Sequence, residues 1–240
     1  MASPTRSAPA LTAWAGADAA TATVAAGGRT ALVAGVTGLV GREILQGLLA
    51  DEGVVAIHSL GRRTLPLQHP KLTHHIVDFA ALPPLPSADE VYLALGTTIK
   101  VAGSQAAFRA VDLDANLAVA RAARAQGATR LGVVSAMGAD ARSRVFYSRV
   151  KGELEEALAE LGFEMLAIAR PSVLAGNREE LGQPVHSGEI LALRLSTWLA
   201  PLIPGNYQSI PASAVARGLL RAVRSRRGQV VMLSGELRKG

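Results

Sequence analysis

The sequence contains no cysteine, and only four of its 25 basic residues are lysines. The absence of cysteine excludes disulfides, thiolate metal sites and cysteine nucleophiles, and it is typical of proteins of a reducing compartment, so a cytoplasmic location is predicted. Aromatic residues make up 4% of the chain, and no run of 18 uninterrupted apolar residues occurs. A transmembrane helix is therefore not expected.

The positive charge does not indicate a nucleic-acid partner. The formal net charge is +6, but the basic residues are scattered, and the one cluster, "RAVRSRRG" (221–228), contains no aromatic residues. Binding of single-stranded nucleic acid would combine a basic groove with aromatic stacking platforms. The five histidines lack the spacing of metal ligands, so no metal site is predicted either. They are His58, His69, His74, His75 and His186.

The chain is predicted to form one folded domain behind a disordered leader. Residues 1–28 are rich in Ala, Thr, Pro and Gly and lack the basic and apolar regions of a secretory signal. Residues 29–240 are long enough for a single well-buried domain. Within it, 176–208 has a looser pattern, and "GEILALRLSTWLAPLIPG" has a broad apolar face. We interpret this segment as covering a substrate cleft, with a dimer contact or a membrane-surface face as alternatives.

Short apolar runs alternate with helical patterns along the domain. The predicted strands are "TALVAGV", "VVAIHSLG", "KLTHHIVDF", "EVYLALG", "TRLGVVSA", "FEMLAIARPSV" and "QVVMLSG". Strands that are apolar throughout are buried on both faces, which requires helices above and below a parallel sheet. The predicted class is thus α/β, a Rossmann-type doubly wound parallel sheet of about seven strands with helices on both faces.

Three glycines follow the first strand in "GVTGLVG", at positions Gly35, Gly38 and Gly41. A glycine turn between a strand and a helix lets the backbone approach a pyrophosphate, while the free N–H groups of the helix point at it. A tight turn without a ligand is the alternative. Arg62 and Arg63 follow the second strand, where an acidic residue would bind the ribose of NAD. Guanidinium groups suit a 2′-phosphate instead, so NADP(H) is preferred over NAD(H).

Ser135 ends the fifth strand, and Tyr147 and Lys151 follow on one face of the next helix. Tyr147 can serve as general acid for a carbonyl oxygen that receives hydride, or as base in the reverse direction, if the Lys151 ammonium stabilises its phenolate. Ser135 would hold that oxygen. A solvated surface pair is the alternative for Tyr147 and Lys151. The glutamates of the same helix, Glu153, Glu155, Glu156 and Glu160, are interpreted as a solvated face.

The chain resembles the atypical branch of the short-chain dehydrogenase/reductase superfamily. More narrowly it resembles the Tat-interacting oxidoreductase-like NAD(P)-binding proteins, which are related to nucleotide-sugar epimerases. The similar segments are "GVTGLVGREIL", "LGRR", "LALGTT", "VVSAMGADARSRVFYSRVKGELEEAL" and "RPSVLAGNREE". They run from about residue 30 to 233. Such relatives usually have two serines where this chain has Ser135 and Ala136.

The resemblance implies further roles at matching positions. The pyrophosphate would lie on Thr37, Gly38, Leu39, Val40 and Gly41. The adenine would lie by Asp78 and Phe79, and the ribose by Leu95, Gly96, Thr97 and Thr98. Pro171 to Val173 would pass the nicotinamide, Arg178 would touch a phosphate or the substrate, and Asn116 would support the site.

The leading hypothesis is an NADP(H)-dependent oxidoreductase, a monomer or homodimer, that acts on a small-molecule carbonyl or alcohol. A catalytically silent NADP(H)-binding regulator that acts through a protein partner is the alternative. An epimerase-like enzyme is a third possibility, although the segment after Pro171 leaves little room for a sugar-nucleotide domain.

Overall fold

The computed structural model describes residues 27–175 and 209–239. The predictions for residues 1–26 of the leader, for the segment 176–208 and for Arg178 lie outside these residues. No helix in the two described stretches combines the length and the apolar character needed to cross a membrane.

A wholly parallel seven-stranded sheet forms the centre of the fold. In spatial order its strands are β3 (Leu72–Ile76), β2 (Val54–Gly61), β1 (Arg29–Ala34), β4 (Glu90–Leu93), β5 (Arg130–Val134), β6 (Met165–Arg170) and β9 (Gly228–Leu233). Two short strands, β7 (Leu174–Ala175) and β8 (Ile210–Pro211), pair separately. The predicted Rossmann-type α/β class is confirmed.

Helices cover both faces of the sheet. They are α1 (Leu39–Ala50), α2 (Ile99–Ala102), α3 (Gln105–Arg109), α4 (Asn116–Ala125), α5 (Phe146–Ala159), α6 (Ala212–Ser225) and α7 (Ser234–Arg238). Side chains of β1 alternate between two cores, because successive residues of a strand point to opposite faces. Val33 packs with α1 and α6, whereas Leu32 packs with α4 and α5.

The sequence "SQAAFRAVDLDANLAVARAARAQG" (104–127) has the pattern of one long helix, but this helix is interrupted. A π-helical segment (Ala110–Ala115) separates α3 from α4, and Asp112 within it is buried. Such segments are rare and occur often at functional sites. The third and fourth strands are also shorter than predicted, and the chain after β4 forms a loop against this segment.

The order of the strands creates a crevice at the carboxyl ends of β1 and β4. The chain leaves β1 toward β2 on one side of the sheet and leaves β4 toward β5 on the other. In open α/β sheets, ligands bind outside the carboxyl ends of the strands at such a reversal.

Candidate functional site

The glycine turn after β1 lies in this crevice and has no space for side chains. Gly35 has φ +95°, and a Cβ there would stand 2.4 Å from the carbonyl oxygen of Ala94. A Cβ on Gly41 would stand 2.0 Å from the carbonyl oxygen of Gly35. Both contacts are far too short for real atoms, so only glycine lets the turn pack against the loop after β4 and against the first turn of α1.

The amino terminus of α1 is open to a ligand. Gly38 is its N-cap, no side chain caps the helix, and its first turn has no acidic residue. The first N–H groups of a helix lack intrahelical partners and carry a partial positive charge. An anion placed over the first turn of α1 would therefore receive hydrogen bonds from the main chain, whereas the Gly38 N–H already donates to the Gly35 carbonyl at 3.0 Å. The narrow glycine turn fits the approach of a pyrophosphate.

Arg62 and Arg63 are exposed directly after β2, which ends at Gly61. Asp78 and Phe79 follow β3, with Asp78 exposed and accepting a hydrogen bond from the Ala80 N–H at 3.0 Å. All four residues thus lie beyond the carboxyl ends of the two strands that flank β1 on one side. This is the side on which the adenosine half of a dinucleotide was predicted.

The loop after β4, residues 94–98, is bonded to the π-helical segment and to the start of α4. The Thr97 N–H donates to Asp112 Oδ2 at 2.8 Å, and Asn116 Nδ2 donates to the Leu95 carbonyl at 3.2 Å. Thr98 caps the short helix α2 through its hydroxyl. The loop predicted to line the ribose is therefore held by two buried polar side chains from the segment that follows it.

Lys151 is buried and paired with Asp112. The distance from Lys151 Nζ to Asp112 Oδ1 is 2.7 Å, and the two side chains are 6% and 1% exposed. A charge removed from water is destabilising unless an opposite charge pairs with it, and here Lys151 and Asp112 are each other's counter-ions. The prediction that Lys151 is a solvated surface residue, the alternative for the Tyr-x3-Lys pair, is thereby contradicted.

Tyr147 stands at the surface in the first turn of α5. It is 38% exposed, and its ring contacts the ring of Phe108 with centroids 5.7 Å apart. Because it precedes Lys151 by four residues on one helix, the two share a face. The phenol is thus accessible to a substrate, while the lysine one turn below is not accessible to solvent.

Ser135 is buried at the end of β5, and its hydroxyl is already engaged. It donates to Glu155 Oε1, and a carboxylate can only accept, so the single hydroxyl hydrogen is committed to Glu155. Ser135 therefore does not donate to a substrate oxygen in this structure. Its predicted catalytic role would require that bond to break.

Glu155 is not part of a solvated face, which corrects the interpretation of the α5 glutamates. It is 6% exposed and bonded by Arg170, with Arg170 Nη2 2.5 Å from Glu155 Oε2. The hydrogen bond to Glu155 raises the pKa of Arg170, so the guanidinium stays charged. Glu156 and Glu160 are exposed as expected, and the half-buried Glu153 pairs with Arg109.

The chain after β6 passes close to the chain after β5. The Met137 N–H donates to the Pro171 carbonyl at 2.9 Å, and the Ser172 N–H donates to Ser234 Oγ at 2.9 Å. Pro171 is buried and Val173 is 58% exposed. Val173 is accordingly available to a ligand at this edge of the sheet, where the nicotinamide was predicted.

Two residues of this site were missed by sequence reasoning, Asp112 and Glu155. A signal for Asp112 existed, since "VDLDAN" places polar residues on a helix that otherwise buries apolar ones. No comparable signal marked Glu155, because its partner Arg170 lies on another element, fifteen residues away.

These features define a Rossmann-type α/β protein with a candidate dinucleotide site at the carboxyl ends of its central strands. Among solved structures, MoeE5 in complex with UDP-glucose and NAD has a TM-score of 0.63 at 18% identity, over 85% of this chain and 75% of that one. The ADP-L-glycero-D-manno-heptose-6-epimerase of Helicobacter pylori has a TM-score of 0.62 at 17% identity, over 86% and 77%. At these identities the likeness concerns the fold.

Sequence relatives place the chain more narrowly. The mitochondrial protein fmp52 of Emericella nidulans is 39% identical over 159 residues, which are 61% of this chain and 67% of the relative. FMP52 of Candida albicans, also named mitochondrial, is 32% identical over 200 residues, 77% and 83% of the two chains. The chain belongs to the FMP52 family. No protein-family model matches the sequence.

The prediction of a cytoplasmic location is wrong. The relatives at 32% to 39% identity are named mitochondrial proteins. The absence of cysteine was a poor guide because it excludes disulfides without distinguishing one reducing compartment from another. The match spans 66% to 68% of the length of three of these relatives.

Proposed function

We propose that the protein is an NADP(H)-dependent oxidoreductase that transfers hydride to or from a small-molecule carbonyl or alcohol. The observation that carries the proposal is the tight glycine turn beneath the open amino terminus of α1. A Cβ added at Gly41 or Gly35 would stand only 2.0 or 2.4 Å from a carbonyl oxygen, so the turn accepts glycine alone. It is supported by the fold neighbours in complex with NAD. The cofactor would supply or accept the hydride.

The dinucleotide would lie across the carboxyl ends of the central strands. Thr37 to Gly41 would hold the pyrophosphate, and the loop Leu95 to Thr98 the ribose next to it. Asp78 and Phe79 would contact the adenine, and Pro171 to Val173 the nicotinamide end. The paired arginines after β2 favour NADP(H) within this arrangement, since guanidinium groups bind a phosphate by two parallel hydrogen bonds.

Tyr147 would move the proton that accompanies the hydride. In the reducing direction its hydroxyl would protonate the carbonyl oxygen, and the exposed position at the start of α5 gives it access. Lys151 would stabilise the resulting phenolate from one turn away. Asp112 would hold Lys151 in place, at a cost, because a carboxylate beside the ammonium weakens its effect on Tyr147. Ser135 would take part only after releasing Glu155.

The cofactor assignment is tested by titrating the purified protein with NADPH and with NADH and following fluorescence. Tighter binding of NADPH is expected, and equal binding would refute the NADP(H) preference. The chemistry is tested by screening carbonyl compounds for oxidation of NADPH and then replacing Tyr147 with Phe. Loss of general acid catalysis lowers turnover by about 10²- to 10⁴-fold, with NADPH binding unchanged. Full turnover in Tyr147→Phe would eliminate Tyr147 as the acid.

A cofactor-binding regulator is the second candidate, favoured by one observation. Lys151 is neutralised by Asp112, and the Ser135 hydroxyl is bonded to Glu155, so two of the three predicted catalytic groups are engaged within the protein. The resemblance to Tat-interacting oxidoreductase-like proteins fits a partner protein. NADPH binding without turnover across a broad carbonyl panel, together with a stable partner in a pull-down, would support the regulator over the enzyme.

A further inference from the structure

The turn that follows β2 carries Arg62 and Arg63, and its side chains are poorly restrained. Both residues are exposed. Neither guanidinium group makes an ion pair or hydrogen bond with any other residue in 27–175 or 209–239. Long side chains in this state lose conformational entropy when they bind a ligand. Binding an anion costs less entropy if the main chain of Arg62 and Arg63 is already fixed, because only their side chains then become ordered.

His74 supplies that restraint from the neighbouring strand. Its Nε2 lies 2.8 Å from the carbonyl oxygen of Arg63, and its Nδ1 lies 2.7 Å from the hydroxyl of Ser59. The carbonyl can only accept, so Nε2 carries the hydrogen, and Nδ1 is left to accept from Ser59. Ser59 is fully buried and is the register partner of His74 in the parallel pair of β2 and β3. The imidazole of His74 is thus fixed to the sheet through Nδ1 and fixes the turn through Nε2.

Gly61 completes the arrangement. A Cβ at this position would stand 2.9 Å from His74 Cε1, so the imidazole packs directly on the main chain of the turn. The Gly61 carbonyl also accepts from the Val77 N–H at 2.9 Å. The turn is therefore attached to the β3 side at two points, one main-chain bond at Gly61 and one side-chain bond at Arg63.

We propose that His74 is a positioning residue for recognition of the 2′-phosphate. It fixes the carbonyl of Arg63, and with it the direction in which Arg62 and Arg63 leave the end of β2. The inference rests on the proposed NADP(H) function and adds to it that the preference depends on a histidine that does not itself contact the cofactor.

Two substitutions separate the two hydrogen bonds of His74. In His74→Asn the amide can replace Nδ1 toward Ser59 but does not reach Arg63, whereas in His74→Gln the amide can replace Nε2 and donate to the Arg63 carbonyl. The dissociation constants of NADPH and NADH are measured by fluorescence titration for wild type and both variants. His69→Asn is the matched control, since His69 lies in the connection between β2 and β3 and its ring accepts from the Lys71 N–H rather than binding the turn at Arg63.

His74→Asn is expected to weaken NADPH binding on the order of fivefold, the effect of one hydrogen bond. NADH binding should stay within about twofold, and His74→Gln should keep most of the NADPH preference. Gly61→Ala is a second route to the same loss, because the added methyl group displaces the ring. Melting temperatures identify any variant that fails to fold.

An unchanged ratio of NADPH to NADH affinity in both His74→Asn and Gly61→Ala would overturn the inference. Equal losses in His74→Asn and His74→Gln would also overturn it, since the ring and not its hydrogen bond would then matter. Failure of the proposed function is distinguishable from either result. In that case the wild-type protein itself would bind the two cofactors equally, before any variant is compared.

Discussion

Replacing Asp112 with Asn should destabilise the protein strongly. The amide keeps the size of the side chain and can still accept from the Thr97 N–H, but it leaves Lys151 as a charge that is 6% exposed without a counter-ion. Breaking a buried pair from one side costs about 3–5 kcal/mol. For a chain of 150 to 250 residues, about 2–4 °C of melting temperature corresponds to each kcal/mol, so a fall of roughly 6–20 °C is expected.

The assay is thermal unfolding of four proteins followed by circular dichroism. Glu153→Gln is the control, because it removes only exposed or half-buried contacts: the pair with Arg109, in which the Arg109 and Glu153 side chains are 44% and 29% exposed, and a longer contact of 4.0 Å with Arg149. An exposed pair contributes at most about 1 kcal/mol. The double variant Asp112→Asn with Lys151→Met removes both charges and should recover most of the loss. A melting temperature for Asp112→Asn no lower than that of Glu153→Gln would refute the argument, as would a double variant no more stable than Asp112→Asn.

Three further predictions concern single residues. Gly41→Ala should cost about 1–3 kcal/mol of stability and abolish NADPH binding, because its methyl group would stand 2.0 Å from the Gly35 carbonyl oxygen. The control Gly47→Ala, in the same helix, meets only the flexible end of Leu220 and should keep binding. Intact NADPH binding in Gly41→Ala would contradict the assignment of the turn to the pyrophosphate. Ser135→Ala should lower stability by about 1 kcal/mol and leave turnover within about threefold, since the hydroxyl serves Glu155; a loss of turnover above a hundredfold at an unchanged melting temperature would restore Ser135 as a catalytic group. Burial, with the nearby His75, lowers the pKa of His58 from 6.5 to about 4. Between pH 6.5 and pH 4 the unfolded chain therefore binds a proton at His58 that the folded protein does not, so stability falls as the pH is lowered through this range. The loss is roughly 3 kcal/mol at most, and denaturant unfolding at pH 7 and pH 5 should show a smaller difference in His58→Asn; an equal pH dependence in that variant would assign the effect to other groups.

Much of the fold was predictable because the apolar runs of a doubly wound sheet are buried on both faces. The second strand has the predicted bounds, 54–61. Prediction of the fourth strand ran on to residue 96 because Ala94 and Leu95 are apolar, although their backbone groups turn away to meet Asn116 and the glycine turn. Apolar character reports burial, and the half-buried Ala94 and Leu95 of this loop share it with the strand that precedes them.

The site was predictable only in part, for a related reason. Residue spacing along one helix correctly placed Tyr147 and Lys151 on one face. It cannot reveal partners contributed by other elements, so the counter-ion of Lys151 and the bond between Ser135 and Glu155 became apparent only from the structure. Treating all four α5 glutamates alike failed at Glu155 for the same reason, since a strand beneath the helix supplies an arginine to that one position.

The π-helical segment Ala110–Ala115 has a consequence for how this chain can change in length. A π-turn holds about one residue more than an α-turn, so α3 and α4 are out of phase with each other by roughly 100° of helical rotation. Deleting one residue within 110–115 would give a straight, regular helix and would rotate Asp112 away from Lys151. Conversely, a sequence alignment that closes a one-residue gap in this segment would pair the wrong residues. Relatives of this protein are therefore best compared by counting forward from Ser104 and backward from Gly127, with any difference in length assigned to the residues between.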